Sequence, residues 1–373
     1  MSTLDTAPAT DGSARTGDER LPGPDLVRAV ALIGVVLMNY HAFLVSRAGT
    51  DARGTVARFF DPWAGPLSTR FAATFVLVAG VGVTLFTGRT RATPISPAEL
   101  SARRWTLARR GLTLYGFGLL FAMIWPGTIL VYYGAMFVVG AVIVTWRTRW
   151  IVATGAFAAC AGAAIAWWAL TQRHDGRDTS WLTDPPSRSP RGVLLNVLVN
   201  GTHPLLPWLA FFCVGIALGR ALRTRWWRRA AIGGGLSMFA VATVASSSLH
   251  RGDTWPVVAS TDPFDRGLLY TASALGTALV AFGAITWLAD RYGETAPIEL
   301  LRDAGAMSLT LYIAHALVFN LLVDWFGWIR PTGLDTALVV TAGFWIAAIL
   351  AAAAWHRRVG IGPAEWLYRR LGG

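Results

Sequence analysis

Apolar residues fall along the chain in long runs, separated by short polar segments that carry arginine. The runs are about 17 to 23 residues long, enough for a helix to cross a bilayer. Ten spans are expected at 26–45, 71–87, 107–125, 129–146, 150–170, 204–219, 230–247, 267–289, 305–323 and 336–354. A weaker stretch, 191–203, is where an eleventh would lie. The expected fold class is all-α: a polytopic transmembrane helical bundle. Residues 1–24, rich in Pro, Gly, Asp, Ser and Thr, read as a disordered cytoplasmic tail with no signal peptide. The spans then divide into an N-terminal region, 25–220, and a C-terminal region, 221–373, ending in a short cytoplasmic tail.

Composition agrees with this pattern. Of 373 residues, 54% are hydrophobic and only 14% charged, and mean hydropathy is +0.47. A soluble domain carries about 25% charged residues, so a water-exposed surface of this size lacks the material. Disordered, fibrous and disulfide-scaffold classes are excluded on the same grounds. Cys160 and Cys213 each sit inside an apolar run and read as small core residues.

The formal net charge is +12, and all 33 basic residues are arginine. No aromatic-interleaved basic stripe accompanies them, which argues against a nucleic-acid partner. Placing both termini in the cytoplasm puts 22 of the 33 arginines on the inner side and splits the acidic residues 11 to 10. This is the positive-inside pattern, and it points to the plasma (inner) membrane, with lipids as neighbours. Arg103, Arg104, Arg109 and Arg110 mark one inner segment, and Arg220 to Arg229 another.

Several polar residues interrupt apolar runs and are candidates for chemistry. Asp25 and Arg28 share a helix face at the inner boundary, either as an interfacial ion pair or beside a cofactor. Asn39, Tyr40 and His41 end the first span, and either find buried partners or line a cavity. Asp61, before Pro62, is a turn residue or an acid facing a pocket. Arg70 opens the second span, where it snorkels or contributes to a site. His203 precedes two prolines at the start of the sixth span, a place for irregular backbone. Asp262-Pro263 is a turn or helix-start signal. Ser308, Tyr312 and His315 share one helix face, with His315 near mid-membrane. Gly362 to Arg369 reads as a short amphipathic helix. Nucleotide-binding, metalloprotease and nucleophile-elbow motifs are absent, and the histidine spacings suggest no metal site.

Three stretches carry a resemblance. The run Asp25-Leu26-Val27-Arg28-Ala29, continuing to Asn39, resembles the opening helix of the membrane acyltransferase family that includes heparan-alpha-glucosaminide N-acetyltransferase and YeiB-like proteins. His203-Pro204-Leu205-Leu206-Pro207-Trp208 resembles the central segment of the heparan-type members. Met307 to Tyr312, with Gly362 to Leu367, resembles the C-terminal domain of unknown function of YeiB-like proteins. The resemblance implies transfer of an acetyl or other acyl group from acetyl-CoA, or another acyl-CoA, to a sugar, glycan or lipid-linked acceptor. By position it suggests His41 as base, Asp61 as its orienting partner, and Arg70 or His203 as oxyanion stabiliser. Arg28, Arg103, Arg104, Arg109 and Arg110 would then hold the coenzyme A phosphates. Asn39, Tyr40, Asp262, Tyr312 and His315 are further pocket candidates, and a second copy of the chain is a candidate partner. The rival readings are a small-molecule or lipid transporter and a non-enzymatic membrane scaffold. A pocket joining an inner thioester site to the outer cluster favours the enzyme; a gated through-path without one favours transport.

Overall fold

In the computed structural model the described residues are 22–48, 54–88, 95–186, 189–249 and 259–373. All regular structure among them is helical. The expected tail falls outside them through residue 21, and the first helix already includes Pro22 to Pro24. The helices are α1 (Pro22–Ala48), α2 (Thr55–Phe59), α3 (Arg70–Phe86), α4 (Pro97–Phe121), α5 (Leu130–Ile143), α6 (Thr148–His174), α7 (Ser180–Thr183) and α8 (Pro190–Leu195). They continue with α9 (Leu205–Ala221), α10 (Trp227–Leu249), α11 (Leu268–Tyr292), α12 (Ala296–Ala306), α13 (Ser308–Phe319), α14 (Leu334–Val359) and α15 (Pro363–Gly372). Wider π-turns extend α8 over Asn196–Asn200 and α13 over Asn320–Trp325.

Nine of the ten expected spans fall on one helix each, while 305–323 crosses the break at Met307 between α12 and α13; the described helices do not all have the length and polarity of a simple span. Six are long and apolar enough to cross, or seven if the bent pair Pro190–Asn200 and Leu205–Ala221 forms one span. The helices α3 and α5 have only 17 and 14 residues. At 1.5 Å per residue, α5 reaches about 21 Å, against a hydrocarbon core of about 30 Å. The helix α4 is long enough but carries Arg103, Arg104, Arg109 and Arg110 between its start and its middle turn. The stretch considered for an eleventh span becomes α8 with its π-turn, meeting α9 at a bend of 55°.

The helix α1 is the axis of the bundle. It packs against α3, α11, α12, α13 and α14, so both halves of the chain share its core. Leu26, Val27, Ala29, Leu32, Val36, Tyr40 and Leu44 on it are fully or almost fully buried. Close packing elsewhere depends on glycine. A Cβ at Gly80 of α3 would meet the Phe212 carbonyl and the Ile216 nitrogen of α9, and one at Gly305 of α12 would meet the Asp25 carbonyl. Small residues at these crossings let backbones touch, which drives helix association where burial from water is lacking.

Several arginines finish helices. The guanidinium of Arg103 donates to the Phe86 carbonyl at the end of α3 at 2.9 Å, and Arg104 to Ala141 near the end of α5 at 2.7 Å. Arg220 donates to the Val144 and Trp146 carbonyls just beyond α5 at 2.6 and 2.9 Å. A cation at these carbonyls satisfies groups that lack a partner within the helix and matches the negative end of its dipole.

The expected amphipathic helix at the C-terminus is α15. It is joined to α13 by reciprocal caps. The Glu365 carboxylate accepts from the Leu309 and Thr310 amides at 2.7 and 3.2 Å and from the Thr310 hydroxyl at 2.5 Å. The same hydroxyl accepts from the Ala364 amide at 3.0 Å. Each helix thus supplies the side chain that satisfies the other's first turn. Glu365 is taken by α13 rather than by Arg369, its neighbour one turn along.

Candidate functional site

Two cavities, named outer and inner here only by their distance from the arginine-rich helix ends, lie one above the other inside the bundle. The first, of about 280 Å³, sits away from the arginine-rich helix ends. Its walls come from the second half of α1, the segment entering α3, the α4–α5 turn, and the loop before α9. Asn39, Thr69, Trp125 and His203 line it, with Phe75 and Tyr312 at its floor. The second, of about 260 Å³, lies toward the arginine-rich end and is lined by Arg28, Arg110, Ser308, Glu365 and Arg369. Phe75 and Tyr312 line this cavity too. These two side chains are therefore the partition between the chambers. Tyr312 is held there by the Ile129 amide, which donates to its hydroxyl at 3.1 Å, while Phe75 stacks on Tyr133 at 5.7 Å.

At the outer chamber, Asn39 lies one turn beyond the fully buried Val36. Its amide nitrogen is 3.3 Å from His315 Nε2, and Tyr40 donates to the His315 carbonyl at 2.8 Å. His315 is fully buried, with Tyr312 and Trp125 ring centroids at 4.9 and 5.2 Å. It acts on the chamber through Asn39 and Tyr312, not by facing it. His203 packs edge-on to Trp208 at 4.5 Å, and its buried Nδ1 has no partner. The loop carrying it is held by Arg266, whose guanidinium donates to the Val199, Asn200 and Gly201 carbonyls.

The expected quartet of His41, Asp61, Arg70 and His203 does not assemble around one point. The ring of His41 turns away from the chamber, its Nδ1 2.7 Å from the Phe60 carbonyl. Asp61 Oδ1 accepts from the Trp63 and Ala64 amides at 2.8 and 2.9 Å, as a turn carboxylate does. It does not orient His41. Arg70 is buried against α11, donating to the Ser273 hydroxyl at 2.9 Å with the Tyr270 ring 5.8 Å away. Asp262 accepts from the Phe264 amide at 2.9 Å in a similar turn. Of the four, only His203 lines the outer chamber.

At the inner chamber, Arg28 and Arg110 line the wall, while Arg103, Arg104 and Arg109 do not. Arg28 is paired with Asp25 at 2.6 Å. Arg110 reaches the Gly373 carbonyl at 3.0 Å and lies over the Phe86 ring at 4.7 Å, with its Nε unpartnered. Burial raises the Tyr368 phenol above its ordinary value, so the ring beside Arg110 stays neutral. Three arginines converging on one chamber suit an anionic ligand. Among the described residues, no group of three or more His, Cys, Asp or Glu could hold a metal ion.

Sequence reasoning did not single out Phe75, Trp125, Thr69, Arg266 or Arg369 as site residues. One signal was missed in kind rather than in place. Thr69 and Arg266, at φ 61° and 55°, are the two non-glycine residues with positive φ among those described. Thr69 lines the outer chamber, and Arg266 holds the loop beside it. Such backbone is unfavourable for a β-branched residue and tends to cluster at functional sites, but hydropathy carries no trace of it.

No curated protein matches the chain. A family model described as protein of unknown function (DUF418) matches residues 209–372, which contain α13, α15 and their reciprocal caps. A second, described as heparan-alpha-glucosaminide N-acetyltransferase, catalytic, matches residues 20–250 and takes in α1, α3 and the His203 loop. With more than half of its length under that model, in an apolar helical bundle, the chain is an integral membrane protein that belongs to the heparan-alpha-glucosaminide N-acetyltransferase catalytic family.

Proposed function

We propose that the protein is a membrane acyltransferase. It takes an acyl group from a coenzyme A thioester bound in the inner, cytoplasmic chamber. It delivers that group to a hydroxyl or amine of a sugar, glycan or lipid-linked acceptor in the outer chamber. One observation carries this reading: the two chambers meet at Phe75 and Tyr312, with arginines below and Asn39 and His203 above. A thioester threaded from below would place its polyanionic end among Arg28, Arg110 and Arg369. Its carbonyl would sit at the partition, and the acceptor would meet it when the Phe75 ring turns aside.

His203 is the base in this scheme. Of the histidines near the outer chamber it is the one that lines it, and its imidazole takes the acceptor's proton. The acceptor oxygen or nitrogen forms a bond to the thioester carbonyl carbon. The carbon–sulfur bond then breaks, and coenzyme A leaves as the thiol after receiving a proton. Asn39 donates one amide hydrogen to His315 and keeps the second for the oxyanion that develops at the carbonyl. His41, fastened to Phe60, anchors the segment that leads into α3.

The test is purified protein in proteoliposomes, given radiolabelled acetyl-CoA and a panel of amino sugars and lipid-linked sugars. Labelled acceptor is expected. His203→Ala is expected to lower kcat by about a hundred-fold while thioester affinity stays within two-fold. Transport of intact solute with no thioester consumed would overturn the assignment.

A further inference from the structure

The inner chamber has a side slot. It measures about 90 Å³, lies between α4, α13 and α15, and shares Leu114, Leu309 and Tyr368 with the chamber. Its remaining wall includes Phe117, Ile313 and Leu367, with the Thr113 hydroxyl as the polar exception among its side chains apart from Tyr368. Leu309 and Ile313 are one helical turn apart on α13, and Tyr312 of the partition lies between them in sequence. The slot therefore branches off near the depth where the reacting carbonyl would sit.

We infer that this slot receives the hydrocarbon tail of the donor, so that the preferred thioester carries an acyl chain of about four to six carbons rather than acetyl. The inference rests on the donor reading above. An apolar wall gives the phosphates and amides of coenzyme A no partners and holds water poorly. The volume equals about three waters at ~30 Å³ each, and a methylene has similar bulk. The single methyl of an acetyl group would leave the slot empty, and its lining would lose those contacts. Three further methylenes fill it.

The experiment is calorimetric titration of the full chain in detergent with coenzyme A and its acetyl, butyryl and hexanoyl thioesters. Affinity is expected to rise about four-fold per methylene, to about sixty-fold over three, and then to level. Leu367→Trp and Thr113→Leu, at two residues that line the slot and not the chamber, are expected to remove this gain. Both should leave acetyl-CoA binding within two-fold. The same micelle surrounds wild type and variants, so their difference reports the slot rather than partition into detergent. Equal affinity for acetyl and hexanoyl thioesters, as when a bilayer lipid's tail fills the slot, overturns the inference and leaves the donor site standing. A chain-length gain that persists in both filled variants also overturns it. Failure to bind any of the four compounds overturns the donor reading together with the slot.

Discussion

Substituting Glu365 tests whether α15 is docked by its carboxylate. That group accepts from two backbone amides of α13 and from the Thr310 hydroxyl at 2.5 to 3.2 Å. Hydrogen bonds to a charged group contribute about 1.5–3 kcal/mol each, and three sharing one carboxylate do not add fully. The negative charge at the α13 N-terminus contributes up to about 1 kcal/mol more. Glu365→Ala therefore should lower the free energy of detaching α15 by about 3 kcal/mol, or about 150-fold in the opening equilibrium. Glu365→Gln keeps one acceptor oxygen for the two amides, but it loses the charge and turns an NH2 toward the Thr310 hydroxyl, so a smaller loss of about 1 kcal/mol, or about five-fold, is expected. Hydrogen exchange read by mass spectrometry reports this directly, because local opening controls exchange. Amides 366–372 should lose protection in that ratio, while core amides of α1 stay as they are. Equal protection in wild type and Glu365→Ala would refute the capping argument. Equal losses in the two variants would refute the part assigned to charge.

Four further outcomes follow from the structure. Gly80→Ala places a Cβ against backbone atoms of α9, with the Ile216 nitrogen at 2.9 Å and the Gly215 Cα at 3.0 Å. Its overpacking cost of about 1–3 kcal/mol should outweigh the helix-propensity gain of about 1 kcal/mol and lower the melting temperature in detergent. Gly233→Ala on α10, where nothing lies within 4 Å of the added Cβ, should instead raise it. Arg266→Ala removes the donor to the Val199, Asn200 and Gly201 carbonyls. It is expected to raise hydrogen exchange at residues 199–203 and to lower acyl transfer at least ten-fold with thioester affinity unchanged. Single cysteines at Trp63 and Ser101, with Cys160 and Cys213 replaced, should react with an impermeant maleimide from opposite faces of the membrane. Labelling from the same face would overturn the two-sided arrangement of donor and acceptor.

Much of the architecture was written locally. Long apolar runs must satisfy their own backbone in lipid and so become helices, and each expected span is helical, with 305–323 broken at Met307. The arginines between runs marked one set of helix ends, because charge avoids the hydrocarbon. Tyr312 and His315, three residues apart, were legible as neighbours on one face. The Gly362 to Arg369 stretch announced its helix through its alternation of apolar and charged positions.

Other features depended on contacts that no local pattern encodes. Crossing capacity was one: α5 stops at Ile143, where the Arg104 and Arg220 guanidiniums close its end from α4 and α9. Which histidine faces the outer chamber was another. His41 and His203 read alike as polar interruptions near one boundary, but the Phe60 carbonyl turns the first away. Asp61 read equally as a turn residue or a pocket acid, and Asp262 as a turn signal and a pocket candidate; their own loops hold both as turn residues. Glu365 meets Thr310 across 55 positions, and Phe75 and Tyr312, much farther apart in the chain, line the same two cavities. Hydropathy and charge act residue by residue, so they determine which segments are helices and which ends carry the arginines. A cavity exists only where side chains from separate helices fail to fill the space between them, and that is decided by how the helices cross.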